Sequence, residues 1–440
     1  MNITMIGTGY VGLTSGVCYS ELGHNVICAD IDEEKISQLK LNRCPIFEPG
    51  LKELIVKNTI NGNLTFTTDM SEAIDNSEII MIAVGTPSLP DGSVDMSFVE
   101  EVAHLIGRSI KSYKVIVNKS TVPVGSADRV RQIVQSYSNV PFDVASVPEF
   151  LREGSAVKDV LNGERIIIGV DSEKAKEMLV QAHKPFNIPM QVTDIHSAEL
   201  IKYAANSFLA MKISFINEIA NLAEKVGADV TEVAKGIGSD SRIGNKFLNA
   251  GIGFGGACFP KDTLGLISIA DQVGHDFAMM KEVVNVNQKQ YFKVIEKIQE
   301  VYPNLSGKSI SILGLSFKPN TNDLREAPSI KIINDLVKLS EGNINIKVYD
   351  PIAMEEASKQ LPSVIEYCSS VENAVRGSDA AIIVTEWKEI VDQDWNELSK
   401  LMNSALIIDG RNSVDLTDNE NVIYFGIGRK NSPTTISSIG

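Results

Sequence analysis

The sequence of 440 residues has few of the side chains that bind metals or form disulfides. Its five cysteines and five histidines are scattered singly, with no CxxC or HxxxH pattern. Neither a disulfide framework nor a metal site is therefore expected. Free thiols are typical of a reducing compartment, so the cytoplasm is the expected location.

Long apolar runs and an excess of basic residues are also missing. No apolar stretch approaches the roughly 18–20 residues that cross a bilayer, and the amino terminus has no signal-peptide pattern. The net charge of −15 argues against general nucleic-acid binding, which needs a basic surface. We expect neither a membrane nor a nucleic acid as a partner.

Short apolar runs rich in β-formers alternate with amphipathic segments. In the first half the predicted strands are 2–6, 25–30, 78–84, 113–120 and 142–148, and the predicted helices include 10–22 and 97–110. The alternation restarts at 307–319, with strands at 344–350, 379–387, 405–412 and 421–428. Strands that alternate with helices form parallel sheets.

Residues 196–226 contain neither proline nor glycine and predict one long helix that ends at Gly227. This helix is apolar around most of its circumference, so we expect it to be buried, with a subunit interface as one environment. The predicted fold is α/β, with two Rossmann-like doubly wound parallel-sheet domains joined by a long central helix. The predicted domains are 1–195, 196–300 and 301–440.

The segment GTGYVG follows the first strand and opens a helix. It places Gly7, Gly9 and Gly12 in G-x-G-x-x-G spacing, and the second strand ends in Asp30. This context is the dinucleotide-binding fingerprint, in which glycines admit a pyrophosphate and the carboxylate accepts hydrogen bonds from a ribose. A carboxylate disfavours a 2′-phosphate, so NAD is predicted rather than NADP. Tyr10 and Val11 belong to the same cofactor loop.

Two further strands end in segments that carry threonine, VGTPS (84–88) and KSTVPVG (119–125). Ligands of open α/β sheets bind outside the carboxyl ends of strands. Thr86 and Thr121 are therefore candidates for cofactor or water contacts. The alternative is that both threonines only stabilise turns.

The segment GFGGACFPKD (253–262) surrounds Cys258 with glycines. These glycines remove side-chain bulk and permit positive φ, so a substrate could approach the main chain. Lys261 and Asp262 could tune the thiol or relay a proton. A thiolate adds to an aldehyde, so Cys258 is a candidate nucleophile. The alternative is a small buried hydrophobe.

Two pairs of polar residues are spaced four apart. Lys202 and Asn206 share one face of the predicted long helix and suit the stabilisation of a negatively charged oxygen. Glu149 and Glu153 follow a strand, so one could act as a base while the other orients it or a water. A solvated surface explains either pair alone.

The chain resembles the UDP-glucose/GDP-mannose dehydrogenase family over its whole length. The resemblance rests on seven motifs in order: GTGYVGL, STVPVG, PEFLREG, ELIKYAANSFLAMKISFINEIA, RIGNKFLNAGIGFGGACFPKD, FKPNTNDLREAPS and DGRN. It implies an NAD-binding domain, a central helical region that mediates dimerisation and carries the cysteine loop, and a carboxyl-terminal domain that binds the nucleotide sugar. The implied assembly is a homodimer.

The resemblance also implies a four-electron oxidation of the sugar C6 hydroxyl with two NAD⁺, through a thiohemiacetal and a thioester on Cys258. The implied catalytic residues are Cys258, Lys202, Asn206, Asp262, Glu149 and Thr121. The implied cofactor contacts add Lys35, Thr86, Glu153 and Arg325 to the glycine loop, Asp30, Thr121 and Cys258. The implied substrate contacts are Glu149, Phe150, Leu151, Glu153, Lys202, Asn206, Arg242, Phe247, Gly255, Lys318 and Arg411.

UDP-glucose is the expected substrate, with GDP-mannose or a UDP-N-acetylhexosamine as the alternative for the same chemistry. A two-electron dehydrogenase of the hydroxyacid type would need no thiol, so the GGACFPKD segment argues against it. A non-catalytic NAD-binding module should have lost Cys258, Lys202 or Asp262, and all three are present.

Overall fold

The computed structural model describes residues 1–416, 419 and 422–429. The chain divides into two compact units, one formed by residues 1–205 and 264–276 and the other by 206–263 and 277–440. The final residues of the predicted third domain, from Lys430 onward, lie outside the described residues.

The first unit contains an eight-stranded sheet. Its strands are β1 Asn2–Ile6, β2 Asn25–Ala29, β3 Leu64–Thr67, β4 Ile79–Ile82, β5 Lys114–Asn118, β6 Phe142–Ser146, β7 Ile166–Val170 and β8 Met190–Thr193. Its helices are α1 Tyr10–Glu21, α2 Glu33–Lys40, α3 Leu51–Ile60, α4 Met70–Asp75, α5 Ser97–Ser109, α6 Ser126–Tyr137, α7 Ala156–Leu161 and α8 Glu173–His183, followed by a short 3₁₀ turn at Lys184–Phe186.

The strand order is β3-β2-β1-β4-β5-β6-β7-β8, the doubly wound order extended by two strands. The sheet is parallel, as predicted, except that β6 pairs with β7 in antiparallel fashion. The short helix α7 returns the chain beside β6 in the opposite direction. Strands β3, β7 and β8 were not predicted, and β8 is a short edge strand in which none of the four residues is fully buried.

Both faces of this sheet are covered, which explains why its central strands are continuous apolar runs. All four residues of β4 are buried. Ile79 and Met81 join one core cluster with α1 and α3, whereas Ile80 and Ile82 join the cluster on the opposite face with α5 and α6.

Helix α9, Ile195–Val226, is a single helix of 32 residues, as predicted. Asp194 caps its start by accepting a hydrogen bond from the Ser197 N–H at 2.8 Å. Gly227 ends it with a φ of +71°. The helix is only partly buried within the single chain, and its predicted environment includes a subunit interface. Its exposed apolar side chains include Leu200, Phe208, Phe215, Leu222 and Val226.

The second unit contains a six-stranded sheet in which every paired strand is parallel. Its strands are β9 Ser309–Leu313, β10 Asn345–Tyr349, β11 Ile365–Tyr367, β12 Ala380–Ile383, β13 Leu406–Asp409 and β14 Ile423–Gly426, in the order β11-β10-β9-β12-β13-β14. The remaining helices are α10 Val230–Gly238, α11 Phe259–Gln272, α12 Ala278–Gln290, α13 Lys293–Val301, α14 Pro328–Leu339, α15 Met354–Ser358, α16 Val371–Val375, α17 Lys388–Val391 and α18 Trp395–Ser399.

This order is again doubly wound, so the predicted fold class is confirmed. The predicted strands at β9, β10, β12, β13 and β14 are present, and only β11, a strand of three residues, was not predicted. Among the described residues, no helix has both the length and the apolar character that crossing a bilayer requires.

Two glycines of the second unit allow a test of its packing. Both have positive φ, +89° at Gly314 and +79° at Gly342, so alanine costs about 1–2 kcal/mol at either position. A Cβ on Gly314 would also lie 2.4 Å from the Thr385 Cβ, whereas Gly342 faces open space. We expect Gly314→Ala to lower the urea midpoint about twice as much as Gly342→Ala or more, measured by circular dichroism. An equal decrease of the urea midpoint in both variants would show that the main chain beside β12 moves to accommodate the added Cβ without a loss of stability.

Candidate functional site

The predicted cofactor loop turns from β1 into α1. Gly7 has a φ of +98°, and a Cβ on it would lie 2.8 Å from the Ala83 carbonyl oxygen. A Cβ on Gly12 would lie 1.9 Å from the Gly7 oxygen, so Gly12 permits the close packing of helix and turn. A Cβ on Gly9 would meet nothing within 4 Å. The space at Gly9 is open beside the N-terminus of α1, which is the cradle that a pyrophosphate needs.

Asp30 lies at the end of β2, as the fingerprint requires. Its Oδ2 accepts hydrogen bonds from the Thr8 N–H and hydroxyl, both at 2.7 Å, and lies 3.4 Å from Lys35 Nζ. Burial alone would raise the pKa of Asp30, but the Thr8 hydrogen bonds, the Asp32 N–H and Lys35 outweigh it and lower the pKa. The carboxylate is therefore ionised and pre-oriented. Lys35, predicted near the ribose, lies beside it.

Glu48 is a residue of this region that sequence reasoning missed. It is buried, and it accepts hydrogen bonds from the Tyr10 hydroxyl, from Gly154 N at 2.7 Å and from Ala156 N at 2.7 Å. It thereby links α1 to the start of α7. The pKa of Tyr10 is raised by burial and by this carboxylate, so the tyrosine remains a hydrogen-bond donor. No local pattern around Glu48 signals this role, because its partners are over 30 residues away.

Thr86 and Thr121 meet at the carboxyl ends of neighbouring strands, β4 and β5. The Thr86 hydroxyl donates a hydrogen bond to the Thr121 carbonyl at 3.0 Å. The end of the Thr121 loop is held by Glu199 of α9, which sequence reasoning also missed. Glu199 accepts from Gly125 N at 2.7 Å and Ala127 N at 2.9 Å, and burial raises its pKa to about 7. The threonine loop and α9 are therefore hydrogen-bonded to each other.

Glu149 lies in the irregular segment after β6 and forms a short ion pair. Its Oε2 is 2.9 Å from Lys119 Nζ, and both side chains are largely buried. Its Oε1 accepts from the N–H groups of Phe150 and Leu151 at 2.8 and 3.2 Å. The predicted pairing of Glu149 with Glu153 rested on a spacing of four residues, but residues 147–154 are not helical. The ion pair that the structure shows for Glu149 is with Lys119.

Lys202 of α9 approaches the same segment of the first unit. Its Nζ lies 5.1 Å from the centre of the Phe150 ring, and Arg165 stacks on that ring at 4.1 Å. Lys202 is buried and its charge lowers the pKa of Glu149. Glu153 is also buried. Phe150, Leu151 and Lys202 are thus brought together with Glu149, as the predicted site requires.

Cys258 lies at the N-terminus of α11, where its carbonyl accepts the first helical hydrogen bond, from Asp262 N at 2.8 Å. It is exposed, whereas Cys18, Cys28 and Cys368 are buried and Cys44 is partly exposed. Burial raises the pKa of Cys28 to about 12, which suits a structural thiol. The partial positive charge at a helix N-terminus stabilises a thiolate. This setting of Cys258 could not be derived from the sequence pattern.

Asn206, which the sequence paired with Lys202 on one helix face, forms a hydrogen bond with Asp262 in the structure. The Asn206 amide donates to Asp262 Oδ2 at 2.5 Å, and both side chains are buried. Lys261 Nζ lies 2.7 Å from Asp262 Oδ1 as an ion pair, without the angles of a hydrogen bond. Asn206 therefore fixes the orientation of a buried carboxylate four residues after Cys258.

The glycines before Cys258 are required by packing within the second unit. A Cβ on Gly255 would lie 2.4 Å from the Glu326 oxygen, and one on Gly256 would lie 2.6 Å from the Phe317 ring. The chain itself fills the space beside these glycines, so packing is sufficient to require glycine at both positions. Arg411 Nη1 donates to the Gly253 oxygen at 2.8 Å and holds the same loop.

The remaining residues that were predicted to bind the substrate or the cofactor differ in their exposure and in their contacts. Arg411 is partly exposed, with 15% of its side chain accessible, and desolvation lowers its pKa. Arg242 is exposed and pairs with Asp240 at 2.6 Å, and Arg325 pairs with Asp323 at 2.7 Å. Phe247 has a φ of +64° and packs edge-on against Phe259. Lys318 Nζ lies 5.3 Å from the Phe317 ring centre.

Three family models match successive parts of the chain. The NAD binding domain of the UDP-glucose/GDP-mannose dehydrogenase family matches residues 1–187, the central domain 196–289 and the UDP binding domain 311–416. The chain belongs to this family. NAD is its cofactor, and the open space at Gly9 and the oriented Asp30 fit that cofactor.

Relatives are similar over almost the whole chain. The UDP-glucose 6-dehydrogenase TuaD of Bacillus subtilis (strain 168) is 50% identical over 431 residues, which cover 97% of this chain and 93% of TuaD. A solved UDP-glucose dehydrogenase from Pyrobaculum islandicum has a TM-score of 0.91 and 36% identity, covering 97% and 98% of the two chains. A UDP-D-ManNAc dehydrogenase from Pyrococcus horikoshii has a TM-score of 0.86 and 27% identity, covering 98% and 99%.

Substitutions at two glycines of the cofactor loop distinguish an effect on NAD⁺ binding from an effect on folding. Gly9 has ordinary negative φ, −71°, and faces open space, so Gly9→Ala should leave the melting temperature unchanged or slightly higher. Its methyl group would enter the pyrophosphate cradle, and we expect NAD⁺ binding to weaken about tenfold or more by calorimetry. Gly12→Ala instead places a Cβ against the Gly7 oxygen, so it should lower the melting temperature itself. Unchanged NAD⁺ affinity in Gly9→Ala would mean that the cofactor lies elsewhere.

Proposed function

We propose that this chain is an NAD-dependent UDP-glucose 6-dehydrogenase, which oxidises the sugar C6 alcohol of UDP-glucose to a carboxylate with two NAD⁺. The observation that carries the chemistry is the exposed Cys258 at the N-terminus of α11, four residues before a buried, oriented Asp262. The substrate is supported by the 50% identity to a UDP-glucose 6-dehydrogenase over nearly the full chain.

The thiol explains how one protein carries out two successive oxidations. The C6 alcohol first loses a proton and a hydride and becomes an aldehyde. The Cys258 thiolate adds to the aldehyde carbon, and the thiohemiacetal loses a second hydride to become a thioester. Water then attacks the thioester carbon, the C–S bond breaks, and the carboxylate and the thiolate are released. NAD⁺, when bound, supplies the two-electron hydride acceptor for each oxidation.

We assign the polar residues to charge and proton handling. Lys202 and Asn206 would stabilise the negatively charged oxygen that develops on the reacting carbon. Stabilisation of this kind makes the greatest single contribution to the rate enhancement of many enzymes. Asp262 would assist proton transfer with Lys202 and a bound water. Glu149 and Thr121 would serve as base and water-positioning residues.

We assign the other predicted residues to ligand contacts. Glu153, Thr86 and Arg325 would contact the cofactor, and Lys35 would lie near its adenosine ribose. The nucleotide sugar would contact Phe150, Leu151, Phe247, Gly255, Lys318 and Arg411. The UDP binding domain of the family, over residues 311–416, supports a nucleotide-linked small molecule as the substrate.

A homodimer is supported by the exposed face of α9. Phe208, Phe215, Leu222 and Val226 are 53–66% exposed and recur every seven or four residues, so they lie on one side of the helix. An apolar stripe of this kind on a soluble chain is typical of a protein interface. Arg242 is exposed and would reach the site of the partner subunit. The free thiols support a cytoplasmic location.

The second candidate is the same chemistry on a different nucleotide sugar. The similarity to a UDP-D-ManNAc dehydrogenase favours a UDP-N-acetylhexosamine as the alternative, although its identity of 27% is lower than that of the UDP-glucose enzymes. GDP-mannose remains the third sugar nucleotide to be compared. One extra contact in a pocket changes specificity by about tenfold or more, so the substrate must be measured.

The stoichiometry of the reaction tests the proposed function. With limiting UDP-glucose and excess NAD⁺, we expect two NADH per sugar, followed at 340 nm, and little NADH from GDP-mannose or UDP-N-acetylglucosamine. One NADH per sugar would mean that the reaction stops at the aldehyde. If a different sugar nucleotide is oxidised with two NADH per sugar, the proposed mechanism would be supported and the proposed substrate would be wrong.

Replacement of the nucleophile tests the covalent intermediate. Cys258→Ser should lower UDP-glucuronate formation about a thousandfold or more, while NAD⁺ affinity stays within about twofold, because a serine hydroxyl is a far weaker nucleophile than a thiolate. Cys44→Ser is the matched control, since Cys44 is also partly exposed, and it should retain full activity. Release of glucuronate by Cys258→Ser at the original rate would rule out the thioester.

A further inference from the structure

We infer that Lys119 is a positioning residue for the proposed reaction, and that its buried ammonium group orients the Glu149 carboxylate and keeps it ionised. This inference rests on the proposed function, in which Glu149 acts as a base. Lys119 lies directly after β5, two residues before Thr121, and is only 5% exposed. A buried lysine is uncommon unless it is paired, so its partner indicates its role.

The Lys119 ammonium group is paired with the Glu149 carboxylate. Its Nζ lies 2.9 Å from Glu149 Oε2, the distance of a charge-assisted hydrogen bond. The same Oε2 lies 3.3 Å from the Ser15 hydroxyl, and Oε1 is held by two main-chain N–H groups. Both oxygens are therefore fixed, and the ammonium supplies the countercharge at 2.9 Å.

Charge decides whether this carboxylate can accept a proton. Burial raises the pKa of Glu149, but the charge and hydrogen bond of Lys119, the Phe150 N–H and the charge of Lys202 outweigh it and lower the pKa. Without Lys119 the burial effect would be offset less, so the pKa of Glu149 would rise and the buried acid would hold its proton at higher pH. A protonated Glu149 cannot take a proton from the attacking water.

The other titratable groups facing Glu149 within the first unit stay neutral near pH 7. Burial raises the pKa values of Cys18 and Tyr19 on α1. Burial lowers the pKa of His183 on α8 to about 4. The positive charges of Lys119 and Lys202 both lower the pKa of Glu149, and Lys119 makes the direct contact.

In the hydrolysis step, the water oxygen bonds to the thioester carbon as its proton passes to the Glu149 carboxylate. The C–S electron pair returns to Cys258 as the thiolate. Lys119 forms no bond to the substrate in this scheme. It holds the acceptor oxygen of Glu149 in the ionised state in which it can receive the proton.

The experiment compares Lys119→Gln and Lys119→Arg with Lys114→Met as the matched control. Lys114 is a buried lysine of the same strand region whose Nζ donates to the main-chain oxygens of Asp75 and Ser77. In Lys119→Gln we expect the acid limb of the kcat profile to move to higher pH by about one to three units, with kcat about tenfold lower at pH 6. KM should stay within about threefold. Lys119→Arg should restore most of the profile, and Lys114→Met should not shift it.

A second measurement does not depend on turnover. The folded pKa of Glu149 lies below its unfolded value, so the ion pair adds stability above about pH 4.3 that is lost at lower pH. The difference in urea midpoint between the unchanged protein and Lys119→Gln should therefore grow from pH 4 to pH 7, and this growth should vanish in the Glu149→Gln background.

The two measurements separate the inference from the function on which it rests. If the unchanged protein forms no NADH from any nucleotide sugar, the proposed function fails, and the pH dependence of unfolding still decides whether Lys119 holds Glu149 ionised. An unshifted kcat profile in Lys119→Gln, or a midpoint difference that is flat with pH, would overturn the positioning role. If Lys119→Gln does not fold, the urea midpoints of Lys119→Arg and Lys114→Met are compared between pH 4 and pH 7. Lys119→Arg retains the positive charge and should retain the pH dependence of the unchanged protein. Loss of that dependence in Lys119→Arg would overturn the positioning role.

Discussion

The parallel register of the central strands is the constraint on which the cofactor side of the first unit depends. Ile6 of β1 lies opposite Ala29 of β2 and Ile82 of β4, and Ile82 lies opposite Asn118 of β5. Since these strands all end at one edge, the segments that follow them emerge side by side. The glycine loop, Asp30, the Thr86 and Thr121 loops and Glu149 meet there because their strands end in register.

The same arrangement of turn and carboxylate occurs in both units. In the first, Gly7 N donates to the Ala29 oxygen, and the next N–H, that of Thr8, donates to Asp30 at the end of β2. In the second, Gly314 N donates to the Tyr349 oxygen, and Leu315 N donates to Asp350 at the end of β10. Both glycines have positive φ. The two units show no repeat at the level of sequence, because only a few residues of this turn, such as the glycine and the aspartate, determine its geometry.

Much of the fold was predictable because periodicity is a local signal. Ten strands and the long helix α9 were expected close to their observed bounds, since buried parallel strands are continuous apolar runs and a helix stops where glycine adopts positive φ. The antiparallel pairing of β6 and β7 was not predictable, because strand direction follows from the path of the connection. Which side of α9 the chain leaves exposed was not predictable, because composition alone does not say which apolar face is covered.

The sequence by itself determined the family, the cofactor motif and the candidate for the nucleophile, because these depend on residue types at short, fixed spacings such as GTGYVG and GGACFPKD. Only the tertiary structure decided how those groups are held. Glu149 forms its ion pair with Lys119, 30 residues away. Glu48 and Glu199 hold main-chain N–H groups over 70 residues away. A buried carboxylate needs donors in space, and the fold chooses them without regard to distance along the chain.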